Sequence, residues 1–434
     1  MHKTALFVAL ALLAGLTAAG AGAGPAAEEV LKSTDHSKLG GKIAAWIEAN
    51  REVRGIADAE QEVRDELEKW GKKKVAGGRH PLALNLTEDL GRALWQSYEY
   101  DRVKGIRKGK VATFEIESAH YKTTFEYALH APSKYNARSE GYPLILCIPD
   151  AGESVTDHLT ERWVIDSDIK DSAILAAIPM PEKQEDWGTR GAEGQPGGAG
   201  ILLYVFGDVS RRYAIDFNRV YLAGRGVGVE AAMRIAAMSA DRFAGVIGCA
   251  GDAADMPIDN FQNLPSFFTG AGRRATDFAK KLDEAGIGNA TLKPDGLTQH
   301  VWAWIQDHPR VSNPERVVLL AGAPFPRSAY WLEVPASEDR SKTRVQASID
   351  RAENRITIEA VGVVSVTLFF NDLLVDMDRP IKVVCNGVEN EDQIPRNLTT
   401  MLGLIQGSRS DPGKLYTASK RYDIPAPPSK GEDK

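Results

Sequence analysis

Apolar and polar positions follow three successive periods along the chain. From Lys42 to Lys74 the spacing is helical: Ile43, Ile47 and Ile56 share one side of a charged segment, and Val63, Leu67 and Trp70 repeat in the same way until Gly77 and Gly78. A second helix is expected over Thr87 to Tyr98, with Thr87 and Asp89 suited to its first turn and Leu90, Leu94 and Trp95 on its apolar face. Alternation then takes over, so that Val111 to Ile116 and Thr124 to Leu129 read as paired strands.

After these the strand signal becomes a continuous apolar run, as in a parallel strand covered on both faces. Such runs occur at Pro143 to Ile148, Ala173 to Ile178, Arg219 to Leu222, Gly245 to Cys249 and Pro265 to Thr269. Helical stretches separate them at Gly200 to Tyr213, Val229 to Met238, Thr276 to Ala285 and Val301 to Asp307. This alternation specifies an α/β fold with a mainly parallel sheet and helices on both faces. Beyond it lie short strands at Tyr330 to Val334, Arg344 to Ile349, Arg355 to Ala360, Val363 to Phe370 and Ile381 to Cys385, with Asn386-Gly387 as a hairpin turn.

The ends change the picture. His2 and Lys3, an apolar run from Ala5 to Leu16 and then small residues form a secretory-signal pattern, with cleavage expected after Ala21 or Ala27. The run is too short to cross a bilayer of about 30 Å, so export to a periplasm or the exterior is expected, with no membrane span. The expected organisation is a signal peptide over 1–24, a helical extension over 25–105, an α/β domain over 106–325 and a β-rich module over 326–424. A disordered, proline-rich tail over 425–434 completes it.

Charge excludes one class of partner. With 53 basic and 59 acidic residues, a net charge of −6 and no long basic stretch, the footprint of a nucleic-acid binder is missing. The three cysteines, Cys147, Cys249 and Cys385, sit inside apolar runs and read as core thiols.

The densest chemical signal is Asn218-Arg219-Val220-Tyr221-Leu222-Ala223-Gly224-Arg225-Gly226-Val227-Gly228-Val229-Glu230, a strand entering a glycine-rich turn and then a helix. With Leu144 to Gly152, Asp216 to Tyr221, Asp241 to Gly245 and Cys249 to Gly251, it resembles the α/β-hydrolases, and among them secreted esterases of the polyhydroxyalkanoate-depolymerase and feruloyl-esterase type. The resemblance spans about Phe114 to Val317. It implies a nucleophilic serine between Gly224 and Gly228, where this chain has Gly226. A glycine has no side-chain oxygen with which to attack a carbonyl. It also relieves the turn of a backbone strain of about 1 to 3 kcal/mol.

The remaining triad positions implied by the resemblance are also altered. The loop after the strand ending at Thr269 reads Gly270-Ala271-Gly272-Arg273-Arg274 and has no carboxylate, and Asp277, expected second in its helix, suits the helix dipole. Asp252 and Asp255 are weak alternatives for the acid. His300, followed by Val301-Trp302-Ala303-Trp304-Ile305, is a weak alternative for the base and is expected at a helix start. Asp150, Ala151, Gly152 and Val227 correspond to the oxyanion-hole region, whose amides are expected to face the cleft as donors.

Arg225, Arg273 and Arg274 are candidate anion ligands, although solvation or ion pairing explains arginines at such positions more readily. Trp163 and Trp187 are candidate platforms for a ligand. Asp376 and Asp378 suit turn chemistry better than calcium binding, and no cofactor or metal motif is present. The expected function is a pseudoenzyme whose cleft binds a small-molecule or polymer-derived ligand, or a protein partner. Two alternatives stay open: a hydrolase active through another set, such as His300 with Asp252 or Asp255 activating water, and a structural scaffold in an envelope or polymer-associated assembly, with partners meeting the N-terminal helices or the C-terminal β module.

Overall fold

The structure, a computed structural model, describes residues 31–73, 80–83, 89–90, 93–94, 107–118, 120–137, 141–191, 194–295, 299–322, 327–336, 342–408 and 411–425. The expected signal peptide, nearly all of the tail and most of the expected helix from Thr87 to Tyr98 lie outside these residues.

The central layer is an eight-stranded sheet of β1 (Ala112–Ser118), β2 (Thr123–His130), β3 (Tyr142–Ile148), β4 (Ile174–Ala177), β5 (Ile215–Arg225), β6 (Gly245–Cys249), β7 (Ser266–Thr269) and β8 (Ala290–Lys293), in spatial order β1-β2-β4-β3-β5-β6-β7-β8. The β1–β2 and β2–β4 pairings are antiparallel and the rest parallel. The parallel strands are the continuous apolar runs of the sequence, because both of their faces are covered. β8, with the polar run Ala290-Thr291-Leu292-Lys293, is the strand that pattern reading misses: it is the edge strand, only half-covered, and carries no hydrophobic run.

Helices α3 (Gly198–Arg212), α4 (Gly228–Ala237), α5 (Arg273–Glu284) and α6 (Gln299–Asp307) connect the strands. Val205, Val209, Val229, Met233, Phe278 and Leu282 pack on one face of the sheet. Trp163, Trp304 and Ile305 pack on the other. This is an α/β-hydrolase-like architecture, with β5 near the middle of the sheet and its C-terminal end feeding directly into α4.

The C-terminal part builds a second core between two sheets. One has the order β16-β15-β13-β12-β9, from β9 (Arg316–Leu320), β12 (Arg344–Asp350), β13 (Arg355–Val361), β15 (Ile381–Cys385) and β16 (Val388–Asp392). The other has the order β10-β11-β14-β17, from β10 (Ser328–Ala329), β11 (Leu332–Glu333), β14 (Ser365–Phe370) and β17 (Ala418–Asp423). Because β9 pairs with β12, the chain enters the β-rich module by Arg316 rather than at 326. The expected strand Tyr330 to Val334 is broken by Tyr330, whose φ of 54° makes a turn. Asn386 and Gly387, both at positive φ, form the expected β15–β16 hairpin.

The helical stretch expected from Lys42 to Lys74 is two helices, α1 (Ser33–Glu52) and α2 (Ile56–Gly71). Val53 (φ 54°) and Gly55 (φ 68°) turn the chain between them, and a periodicity count does not detect two left-handed residues. These helices pack on α7 (Leu398–Ser408), which the β-rich reading of the module omitted: Leu39, Ile43, Leu67 and Trp70 share a third core with Leu398, Met401, Leu402 and Ile405.

Arg310 fastens the modules together. Its guanidinium makes two hydrogen bonds to Asp411, at 2.9 and 2.6 Å, and donates to Asn218 Oδ1 at 3.0 Å and to the Asp241 carbonyl at 2.7 Å. Lys414 pairs with the Asp241 carboxylate at 2.5 Å. Burial pushes the Asp241 carboxyl up, but the Lys414 and Arg242 cations outweigh it and hold the group below its ordinary value.

Candidate functional site

β5 ends in Arg225, the chain turns at Gly226 with φ +52°, and α4 starts at Gly228. Two constraints select glycine at 226. The left-handed backbone disfavours side chains, and a Cβ built on Gly226 would overlap the Asp150 carboxyl group. Asp150 lies just past β3, and its carboxylate occupies the space where a side chain at 226 would begin.

This carboxylate uses the donors beside it. The Val227 N–H donates to Asp150 Oδ1 at 3.0 Å, and the Ala151 N–H donates to the same oxygen at 2.8 Å. Val227 follows the elbow residue, and its amide is a main oxyanion-hole donor in the α/β-hydrolase arrangement. The expectation that these amides face the cleft as free donors is therefore corrected: the chain's own carboxylate takes them.

A partly buried network holds the Asp150 loop in place. The Asp150 N–H donates to Glu153 Oε2 at 3.3 Å, and the same Glu153 carboxylate receives Arg162 Nε at 3.0 Å and His158 Nδ1 at 2.7 Å. Trp163 Nε1–H donates to His158 Nε2 at 3.1 Å, so His158 is the neutral tautomer with its proton on Nδ1. Burial keeps the His158 pKa below its ordinary value, and the hydrogen bond to Glu153 only partly offsets that. Burial raises the Glu153 carboxyl, while its bonds from His158 and Arg162 lower it further, for a net depression. Trp163 is 2% exposed inside this network, which corrects its reading as a ligand platform.

The other candidate residues are placed apart. Asp252 accepts N–H groups of Ala253 at 3.0 Å, Arg274 at 3.2 Å and Ala275 at 2.8 Å. It therefore caps the start of α5; burial raises its pKa, but these donors outweigh burial and lower it. Arg274 pairs with Glu230 at 2.5 Å and with Asp252 at 3.5 Å. Arg273 projects into solvent beside Asp277, which stands fifth rather than second in its helix, at 3.5 Å. Asp255 is exposed, 4.0 Å from Lys281. Arg225 is close enough to act electrostatically on His158 and Cys249, whose thiol burial pushes up to about 12. None of the three candidate arginines lines the cavity beside the elbow.

His300 lies in α6 and meets Asp295, rather than Asp252 or Asp255, at 2.8 Å from Nε2. Asp295 in turn accepts from Thr269 Oγ1 at 3.3 Å, at the end of β7. β7 is two strands from β5, about 10 Å along the sheet edge. Among the described residues no hydrogen bond joins His300 to the elbow. Asp376 and Asp378 are ion-paired to Arg379 at 2.6 Å and Arg396 at 2.7 Å. No group of three or more His, Cys, Asp or Glu placed to hold a metal occurs among the described residues.

Beside the closed elbow a cavity of about 520 Å³ opens over α4, with Trp187, Val227, Arg234, Met238, Met256 and Glu185 on its walls. Trp187 lines it; its indole N–H is bonded to the Pro181 carbonyl at 2.7 Å, so it offers an apolar ring. Arg234, Met238 and Met256 were not foreseen. The signal was present in the helical stripe Val227, Glu230, Ala231, Arg234 and Met238, which runs from the elbow along one face of α4.

No family model matches the sequence, and no curated protein does. Solved structures do. A thermostable esterase is 18% identical over 46% of this chain and 64% of that one, with a TM-score of 0.37. A ferulic acid esterase is 14% identical over 46% of this chain and 94% of its own, with a TM-score of 0.35. The S-formylglutathione hydrolase FrmB from Staphylococcus aureus is 12% identical over 46% of this chain and 98% of its own, also at 0.35. The chain thus spans just under two thirds of the first of these.

Proposed function

We propose that this chain is a non-catalytic member of the hydrolase-fold class, an exported pseudoenzyme that binds a ligand in the cavity beside its elbow. The observation that supports this reading is the Asp150–Gly226 pairing: the place of a nucleophile is filled by a carboxylate from another loop, and that carboxylate occupies the Val227 amide. A carbonyl entering the elbow meets no nucleophile at 226, Val227 and Ala151 amides already bonded to Asp150, and a negative charge that repels its developing oxyanion. His300 is paired with Asp295, and among the described residues no hydrogen bond joins it to the elbow. Export rests on the charged, apolar and small-residue order of residues 2–21.

The test is hydrolysis of p-nitrophenyl acetate and butyrate by the purified protein. The reading expects a rate equal to the buffer control. A saturable rate that disappears in His300→Ala would replace it with a water-activating hydrolase.

A further inference from the structure

Four groups outside the elbow carry unused chemical potential, and three resolve into structure. The Glu153–His158–Trp163 network is fully bonded inside the protein, the Arg310–Asp411–Asp241–Lys414 cluster is an internal fastening, and the His300–Asp295 pair is closed on Thr269. The fourth is the cavity wall. Arg234 is exposed there, and among the described residues it forms no ion pair, in contrast to its neighbours Arg274 and Glu230, which pair with each other.

Arg234 is also held in position. It stands on α4 one turn before Met238 and a turn after Glu230, and its aliphatic stem crosses Gly188: a Cβ at Gly188 would lie 2.7 Å from Arg234 Cδ. Gly188 follows Trp187, so the residue that lacks a side chain lets the guanidinium stem lie against the loop that carries the ring. The wall is mixed: the Trp187 ring, Val227, Met238 and Met256 supply its apolar part, and Gln184, Thr189 and Glu230, the last paired with Arg274, its polar part. Methionine and tryptophan surfaces accommodate irregular apolar bodies, and a guanidinium takes a carboxylate by two parallel hydrogen bonds. Glu185, also without an ion pair among the described residues, lies at the exposed rim.

We infer that the cavity binds a small amphipathic monocarboxylate, its carboxylate on Arg234 and its aliphatic or aromatic body against Trp187, Met238 and Met256. The inference rests on the ligand-binding reading above and names the ligand class. A cavity of about 520 Å³ suits a body of this size and falls in the range of small-molecule sites.

Calorimetric titration of the full chain with 4-phenylbutyrate, 4-phenylbutan-1-ol and 4-phenylbutylamine tests it. The acid is expected to bind at least tenfold more tightly than the alcohol. Arg234→Gln should erase that difference and leave the alcohol unchanged, while Arg234→Lys retains part of it. Unchanged thermal unfolding of both variants confirms that they are folded. If acid and alcohol bind alike, and Trp187→Ala weakens both, carboxylate recognition is overturned and the ligand-binding reading stands. Tighter binding of the amine would assign recognition to Glu185 and also overturn the inference. If none of the three binds, and the inactive protein shows no ligand-dependent shift in unfolding, both readings fall.

Discussion

The elbow and the cavity beside it share α4 but treat charge in opposite ways. At the elbow the Asp150 carboxylate is paired within the chain, with two amides, and the loop behind it is tied down by Glu153 with Arg162 and His158 and by His158 with Trp163. At the cavity Arg234 stands without an ion pair among the described residues, on a wall shared with Trp187, Met238 and Met256. Internal pairing spends binding energy on the fold, whereas an unpaired guanidinium keeps it for a molecule that arrives later. On the proposed reading the elbow's donors serve the fold, and the ligand-binding chemistry lies about two helical turns along α4.

The sharpest way to break this contrast is to put a side chain back at the elbow. Gly226→Ser introduces a side chain at φ +52° that overlaps Asp150, and overpacking and left-handed strain together should cost about 3 kcal/mol. Urea unfolding should show it. Adding Asp150→Gly removes the overlap, and the double variant should regain about half of that loss yet stay inactive on p-nitrophenyl esters, because His300 is paired with Asp295 and not with the elbow. Equal stability of Gly226→Ser and the parent chain would refute the filled elbow.

A smaller effect is expected from Asp252→Ala. It strips α5 of acceptors for Arg274 and Ala275 N–H, costing about 1 kcal/mol by analogy with other helix caps and leaving cavity binding unchanged. Arg234→Gln reverses that pattern: stability should stay within about 0.5 kcal/mol, as for an exposed residue, while carboxylate affinity falls. If Arg234→Gln destabilised the fold more than Asp252→Ala, the distinction between spent and available charge would be wrong.

The smallest expected effect is on pH dependence. Burial depresses the His158 pKa below the ordinary 6.5, so the unfolded chain takes up the proton first as pH falls. Stability is therefore full above about pH 6.5 and declines below it until His158 itself titrates in the fold. His130, depressed mainly by burial, adds in the same sense. His158→Gln should reduce the slope of unfolding free energy against pH between 6.5 and 5 by at most one proton; an unchanged slope would mean His158 is not buried as a neutral ring.

Much of the fold was legible because apolar runs and glycine turns record burial directly. Pro143 to Ile148, Gly245 to Cys249 and the strand–glycine–helix passage around Gly224, Gly226 and Gly228 are local signals with one structural solution. What escaped was non-local or weakly apolar: the edge strand β8, the break at Val53 to Gly55, and the packing of the N-terminal helices on α7. At the site, the glycine at 226 was legible, but not that Asp150, 76 residues earlier, fills its space. An acidic residue in the β3 turn facing a glycine elbow is a pair whose meaning appears only when the two loops touch. Arg225, Arg273 and Arg274 lie at or beside the elbow loops, whereas Arg234 reaches the cavity only through its place on the α4 stripe.

The central claim is that no residue in the elbow can attack. Intact-mass spectrometry after incubation with a serine-reactive fluorophosphonate tests it most directly. The account predicts that the protein keeps its unmodified mass, in the parent chain and in Asp150→Gly alike. A stoichiometric adduct on the parent chain would place an activated nucleophile in this fold and contradict it.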